Sequence, residues 1–181
     1  MRKVLYILGQ LDDMDVDWLS RNGIKRRIDA GTAIVRQGQP VQSLFVLLEG
    51  RLGITVKGLG HIASVGPGEL IGELSFVDRA PPSATVAAEG ECVVLEVDKK
   101  ALEAKLAADP AFGHRFFRAL ALFLADRLRG TMQRMGYGGD SGLDSEEILE
   151  DELDDNILDG VSLAGDRFDR LLRTLSEART A

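Results

Sequence analysis

Cysteine, proline, tryptophan, tyrosine and histidine are all scarce in this chain of 181 residues, and it has no long hydrophobic run. A single cysteine, Cys92, excludes an intrachain disulfide. It sits in the apolar run Cys92-Val93-Val94-Leu95, which reads as a buried strand in a protein suited to a reducing compartment. The two histidines, His61 and His114, lie far apart without neighbouring ligands, so both read as structural and no metal is expected. No stretch is long and uncharged enough to span a bilayer, and the apolar opening Val4 to Leu8 is too short for a signal core, so a cytoplasmic protein without membrane association is expected. Neither a Walker-type loop nor a Ser, His and Asp constellation is visible, and the chain is expected not to be an enzyme. Lysine and arginine number 22 against 29 aspartates and glutamates, a net charge of −7, which argues against a surface built to neutralise nucleic-acid phosphates.

The acidity is local. Asp140 to Asp159 holds ten carboxylates and no basic residue, so the remainder of the chain carries about +3. Residues 136–162, opened by Gly136-Tyr137-Gly138-Gly139, read as a flexible acidic linker, and 163–181 as an amphipathic helix with Phe168, Leu171, Leu172 and Leu175 on one face. That tail is expected either to dock on its own core or a symmetry mate, or to be recognised by a protein partner with a basic groove.

Upstream, residues 1–23 read as a helical segment with Leu11, Met14, Val16, Trp18 and Leu19 near one face; Trp18 is a packing residue and Asn22-Gly23 a stop. From residue 24 to 98 the pattern is short apolar runs punctuated by glycine: Ile24–Ile28, Thr32–Arg36, Ser43–Leu48, Leu52–Val56, His61–Val65, Ala84–Ala88 and Cys92–Val97. Many short strands at even spacing predict an antiparallel β jelly-roll barrel, so the fold class is mainly β with flanking helices. Residues 99–135 return to a helical period in two helices broken at Asp109-Pro110. The second is a lid and dimerisation helix, with Phe116, Leu120, Phe123 and Leu128 as the expected homodimer seam.

One segment carries chemistry. Gly66-Pro67-Gly68-Glu69-Leu70-Ile71-Gly72-Glu73-Leu74-Ser75 ends a strand and opens a short turn of helix, before Pro81-Pro82-Ser83-Ala84-Thr85-Val86 returns to a strand. Gly72 permits a close backbone approach, and the unpaired amides at Glu73, Leu74 and Ser75 suit an anion. This run resembles the phosphate-binding cassette of the cyclic nucleotide-binding domains of catabolite activator proteins, cAMP-dependent kinase regulatory subunits and gated channels. Gly38 with Leu44 to Leu52 resembles the family's second signature. The resemblance covers about residues 10–135. It implies a barrel that holds cAMP or cGMP as a possible ligand, with no cofactor required. Glu73 would sit on the ribose 2′-hydroxyl, Leu74 and Ser75 would supply amides, and Ser83, Ala84 and Thr85 would stand where small residues follow the family's phosphate-binding arginine.

At the arginine's position this sequence has Pro82, which offers neither a guanidinium nor an amide donor. Three accounts are open: Arg79 swings in to restore the charge, the site takes another ligand, or it is empty and the domain is a non-catalytic regulatory or adaptor scaffold with weakened or lost binding. A catabolite-activator-type transcription regulator is the further alternative, although no helix-turn-helix with a basic recognition face is visible and no nucleic-acid binding is expected.

Overall fold

A computed structural model of the chain describes residues 8–134, 164–168 and 170–175. The expectations for the linker and acidic window lie outside the described residues.

Helix α1 (Asp13–Asn22) opens with a reciprocal cap: Asp15 N–H donates to the Asp12 carboxylate at 2.9 Å, and Asp12 N–H donates to that of Asp15 at 2.9 Å. Eight strands follow: β1 (Gly23–Ile28), β2 (Ala33–Val35), β3 (Ser43–Glu49), β4 (Leu52–Val56), β5 (Gly60–Val65), β6 (Leu70–Ile71), β7 (Thr85–Ala88) and β8 (Cys92–Asp98). Helix α2 (Glu73–Val77) lies between β6 and β7, and helices α3 (Lys99–Ala108) and α4 (Pro110–Arg134) follow β8. The strands form two four-stranded antiparallel sheets, ordered β1-β8-β3-β6 and β2-β7-β4-β5, the jelly-roll arrangement the glycine-punctuated pattern predicts. Strand β6 has no counterpart among the apolar runs of the sequence, because a two-residue strand has no period to detect.

The continuous apolar runs at Ser43–Leu48 and Cys92–Val97 have a structural cause, since the first sheet is covered on both faces. Phe45, Leu47, Cys92 and Val94 point between the sheets, where they meet Val35, Leu52, Val65, Ile71 and Val86. Their alternates Leu44, Leu48, Val93, Leu95 and Val97 face the helices, meeting Leu11, Val16, Leu19, Leu102, Phe112, Phe116, Leu120 and Phe123. Trp18 packs against Phe112 with ring centroids 5.8 Å apart.

Helix α1 is clamped to α4 by an ion pair. Arg115 donates from Nε to one Asp15 carboxylate oxygen at 2.6 Å and from Nη2 to the other at 2.9 Å. Asp15 is only 2% exposed. Burial pulls its carboxyl upward, but the Arg115 guanidinium and the Asp12 amide outweigh that and hold it below the usual aspartate range. The helical stretch 164–175 adds Ala164, Leu171 and Leu175 to the same core. It is tied to the start of the fold by Arg167 donating to the Leu8 carbonyl at 3.0 Å and to Asp13 at 2.9 Å, and by Arg170 pairing with Asp17.

This packing corrects the expected dimer seam. Phe116, Leu120 and Phe123 are 4%, 3% and 1% exposed within the single chain. That part of the apolar face of α4 belongs to the core shared with α1, the first sheet and the 164–175 stretch. Of the four expected seam residues only Leu128 remains on the surface.

Candidate functional site

The cassette is built where β6 hands the chain to α2. Gly72 caps α2 in the left-handed region at φ 90°, and a Cβ there would stand 2.9 Å from the Ser43 carbonyl oxygen of β3. Both the dihedral and the approach of β3 require glycine, so in this chain Gly72 is fixed by its own neighbour before any ligand is considered. Glu73 and Ser75 follow on α2. Leu74, also expected in the site, has a half-exposed side chain.

Glu73 is not an open carboxylate waiting for a hydroxyl. It is 3% exposed and is hydrogen-bonded by Arg127 of α4, which also reaches Glu69 at 3.4 Å. Burial pushes the Glu73 carboxyl above its usual range; Arg127 pulls against this, and Glu69 adds to the upward push. The guanidinium also lies over the Phe123 ring, 5.2 Å from its centroid. Behind α2, Lys99 is buried and donates from Nζ to the Ser75 hydroxyl at 2.8 Å, and that hydroxyl donates in turn to the Gly72 carbonyl at 3.1 Å. Burial lowers the Lys99 ammonium from its usual range, opposed by Glu73, Glu103 and Asp78.

The return limb is held against the β2–β3 turn. The Pro82 carbonyl accepts from Gly38 N–H at 2.8 Å and the Thr85 hydroxyl accepts from Gln37 N–H at 3.0 Å. Ser83 is exposed and Ala84 half-buried. Arg79 is the one described non-glycine residue with positive φ, 58°, in a turn where Ala80 N–H donates to the Asp78 carboxylate at 2.9 Å. Its side chain lines two open grooves. One, of about 310 Å³, is bounded by Gln42, Ser75, Lys99, Lys100 and Glu103; the other, of about 540 Å³, by Phe76, Val77, Leu106 and Phe117. Neither groove takes lining from Gly72, Glu73, Pro82, Ser83, Ala84 or Thr85. The structure thus brings Gly72, Glu73 and Ser75 together around α2 and directs Arg79 toward α3.

Sequence reading passed over Arg127, Lys99 and Glu69. The only sequence signal for them is two carboxylates four residues apart, Glu69 and Glu73, flanking the apolar pair Leu70-Ile71, which would need a cation once buried. It also missed a surface cluster in which Ser64 donates to Glu89 at 2.5 Å and His61 Nε2 stands 3.1 Å from the same hydroxyl.

Residues 25–109 match the family model described as the cyclic nucleotide-binding domain, and they enclose both sheets except the first two residues of β1. Residues 25–109 thus form a domain of the cyclic nucleotide-binding superfamily. Among solved structures it is similar to a cyclic nucleotide-binding domain from Methylobacillus flagellatus, with TM-score 0.66 and 23% identity over 79% of this chain and 86% of that one. It is also similar to the N-terminal domain of a transcriptional regulator from Streptomyces coelicolor, with TM-score 0.58 and 30% identity over 78% of this chain and all of that one (100%). Glutaminase 2 of Bradyrhizobium diazoefficiens is 29% identical over 122 residues, 67% of this chain and 19% of that protein. The first curated relatives are thus matched over about a fifth of their own length (19% to 20%). Among the described residues of this cyclic nucleotide-binding-type module, no helix is long and apolar enough to cross a membrane.

Proposed function

We propose that this chain is a non-catalytic regulatory module whose nucleotide site has lost the cation that grips a cyclic phosphate, so that cAMP and cGMP bind weakly or not at all. The observation that carries the reading is Pro82 at the arginine's position, with its carbonyl tied to Gly38. Among the cations near the cassette, Arg127 is held by Glu73 and Glu69, Lys99 donates to Ser75, and Arg79 lines the outer grooves. Charge-assisted hydrogen bonds contribute about 1.5–3 kcal/mol each. Loss of the guanidinium therefore lowers affinity by roughly tenfold to a hundredfold or more.

The Glu73–Arg127 contact supports a route from cassette to lid. A hydroxyl that took up the Glu73 carboxylate would share or displace Arg127, and so change the free energy of α4 in its present position. That α4 leads directly into residues 135–163 supports the idea that this shift moves the acidic window. The match to a small part of larger proteins supports a role as a controlling module beside other activities.

Calorimetry with cAMP and cGMP on the parent and on Pro82→Arg tests the reading. Weak or flat titrations for the parent and a gain of tenfold or more for Pro82→Arg are expected. Tight binding by the parent, unchanged in Pro82→Arg, would overturn it. The strained backbone of Arg79, which makes no ion pair among the described residues, favours one second reading, in which Arg79 turns inward and serves the phosphate. Under that reading Arg79→Ala abolishes binding that the parent retains.

A further inference from the structure

The two open grooves meet at Arg79 and Glu103, between α2 and α3, and they differ in chemistry. The smaller gathers three cations, Arg79, Lys99 and Lys100, against one carboxylate, Glu103, which leaves an excess of two positive charges. None of the three cations makes a salt bridge among the described residues. Arg79 and Lys100 are exposed, whereas Lys99 is only 9% exposed. Its ammonium carries three N–H donors, and the fold uses one of them, toward the Ser75 hydroxyl at 2.8 Å. Glu73, Glu103 and Asp78 lie near enough to favour its charge without pairing with it. A buried charge held by one neutral hydroxyl is a costly arrangement for stability alone.

The larger groove is apolar apart from Arg79 and Glu103. Phe76 and Phe117 each pack edge-on against Phe116, with centroids 6.0 and 5.9 Å apart, which fixes both rings as a shelf. Val77 extends that shelf and is half-exposed, as is Phe117. Arg79 stands where the polar groove gives way to the apolar one. Its backbone is held in the left-handed region by the Asp78–Ala80 turn, a strain that a site can use to place a guanidinium.

We propose that the joined grooves bind an organic phosphate monoester with an apolar body, its head held by Arg79, Lys99 and Lys100 and its body laid on Phe76, Val77 and Phe117. Charge complementarity selects the head, since a phosphate monoester carries about −1.5 to −2 at neutral pH. Arg79 offers the planar fork that phosphate oxygens accept, and the two lysines act as point charges beside it. The shelf selects the body, because a bare phosphate would leave it uncovered. The volumes, about 310 and 540 Å³, suit a small molecule and not a protein segment. Neither groove is lined by Gly72, Glu73 or residues 82–85. The inference therefore stands whether or not the cassette binds a nucleotide, although it requires Arg79 to face outward.

NMR titration of the intact chain with octyl phosphate, inorganic phosphate and octanol tests it. Octyl phosphate, below its micellar concentration, is expected to shift the Val77 and Leu106 methyls and the Phe117 ring saturably. Its affinity should exceed that of either fragment by about tenfold or more. Arg79→Gln combined with Lys100→Gln changes two exposed positions and is expected to lower that affinity by about tenfold or more while the core signals stay in place. Equal affinity for octanol would reduce the grooves to an apolar patch and overturn the proposal. An affinity indifferent to the two glutamines would do the same. Shifts centred on Gly72, Glu73 and Thr85 would put the phosphate in the cassette and overturn it as well.

Discussion

Replacing Arg127 by methionine tests the centre of the site. The change keeps an apolar stem for the Phe123 ring and removes the guanidinium from two carboxylates, Glu69 and Glu73, each 3% exposed. Removing one partner of a buried pair costs about 3–5 kcal/mol. Arg127 is itself a quarter exposed (25%) and Lys99 remains near Glu73, which lowers the expected cost to about 2–4 kcal/mol. For a domain of this size that is a fall in Tm of roughly 4–16 °C. The loss has a pH signature. In the parent the Glu73 carboxyl already titrates above its unfolded value because burial outweighs Arg127. Its contribution to stability is therefore fully present below the unfolded value and is lost as pH rises through the folded one. Without Arg127 the folded value rises further, so the variant loses more at neutral pH and converges on the parent as acid protonates Glu73. Urea unfolding at about pH 7.5 and pH 5 reads this directly. A loss under about 1 kcal/mol at pH 7.5, or an equal loss at both pH values, would show that Arg127 acts by packing and not by charge, and would refute the account of the site.

Two further substitutions probe the frame that holds the cassette. Arg115→Ala strands the buried Asp15 carboxylate and should cost about 2–4 kcal/mol at neutral pH by chemical unfolding. Asp15 titrates below its unfolded value, so that stabilisation is present above the unfolded value and lost as pH falls through the folded one; parent and variant should therefore draw together only in strong acid. Gly72→Ala combines left-handed strain of about 1–2 kcal/mol with a Cβ clash against β3. It should shift the unfolding midpoint downward even in the absence of any nucleotide, and a neutral result would mean that β3 can yield at Ser43.

The sequence by itself determined the barrel, the two closing helices and the position of the cassette, because these are written in local terms. Glycines at the turns, short apolar runs between them, the Asp109-Pro110 break and the Gly72-Glu73 pair each act through their immediate neighbours. The proposal about Pro82 is equally local, since it rests on the spacing that the resemblance assigns to a guanidinium. What lies within reach of that cassette was decided by tertiary structure alone. Arg127 is 54 residues from Glu73 and Arg115 is 100 from Asp15, and no period in the sequence links positions so far apart. The periodicity of α4 shows that it has a wide apolar face but not how much of it the chain covers. Phe116, Leu120 and Phe123 go inward because α1 and the 164–175 stretch close over them, while Phe117, Leu128 and Met132 stay outside. Burial is a property of what packs on a face, and that is settled only when distant segments meet.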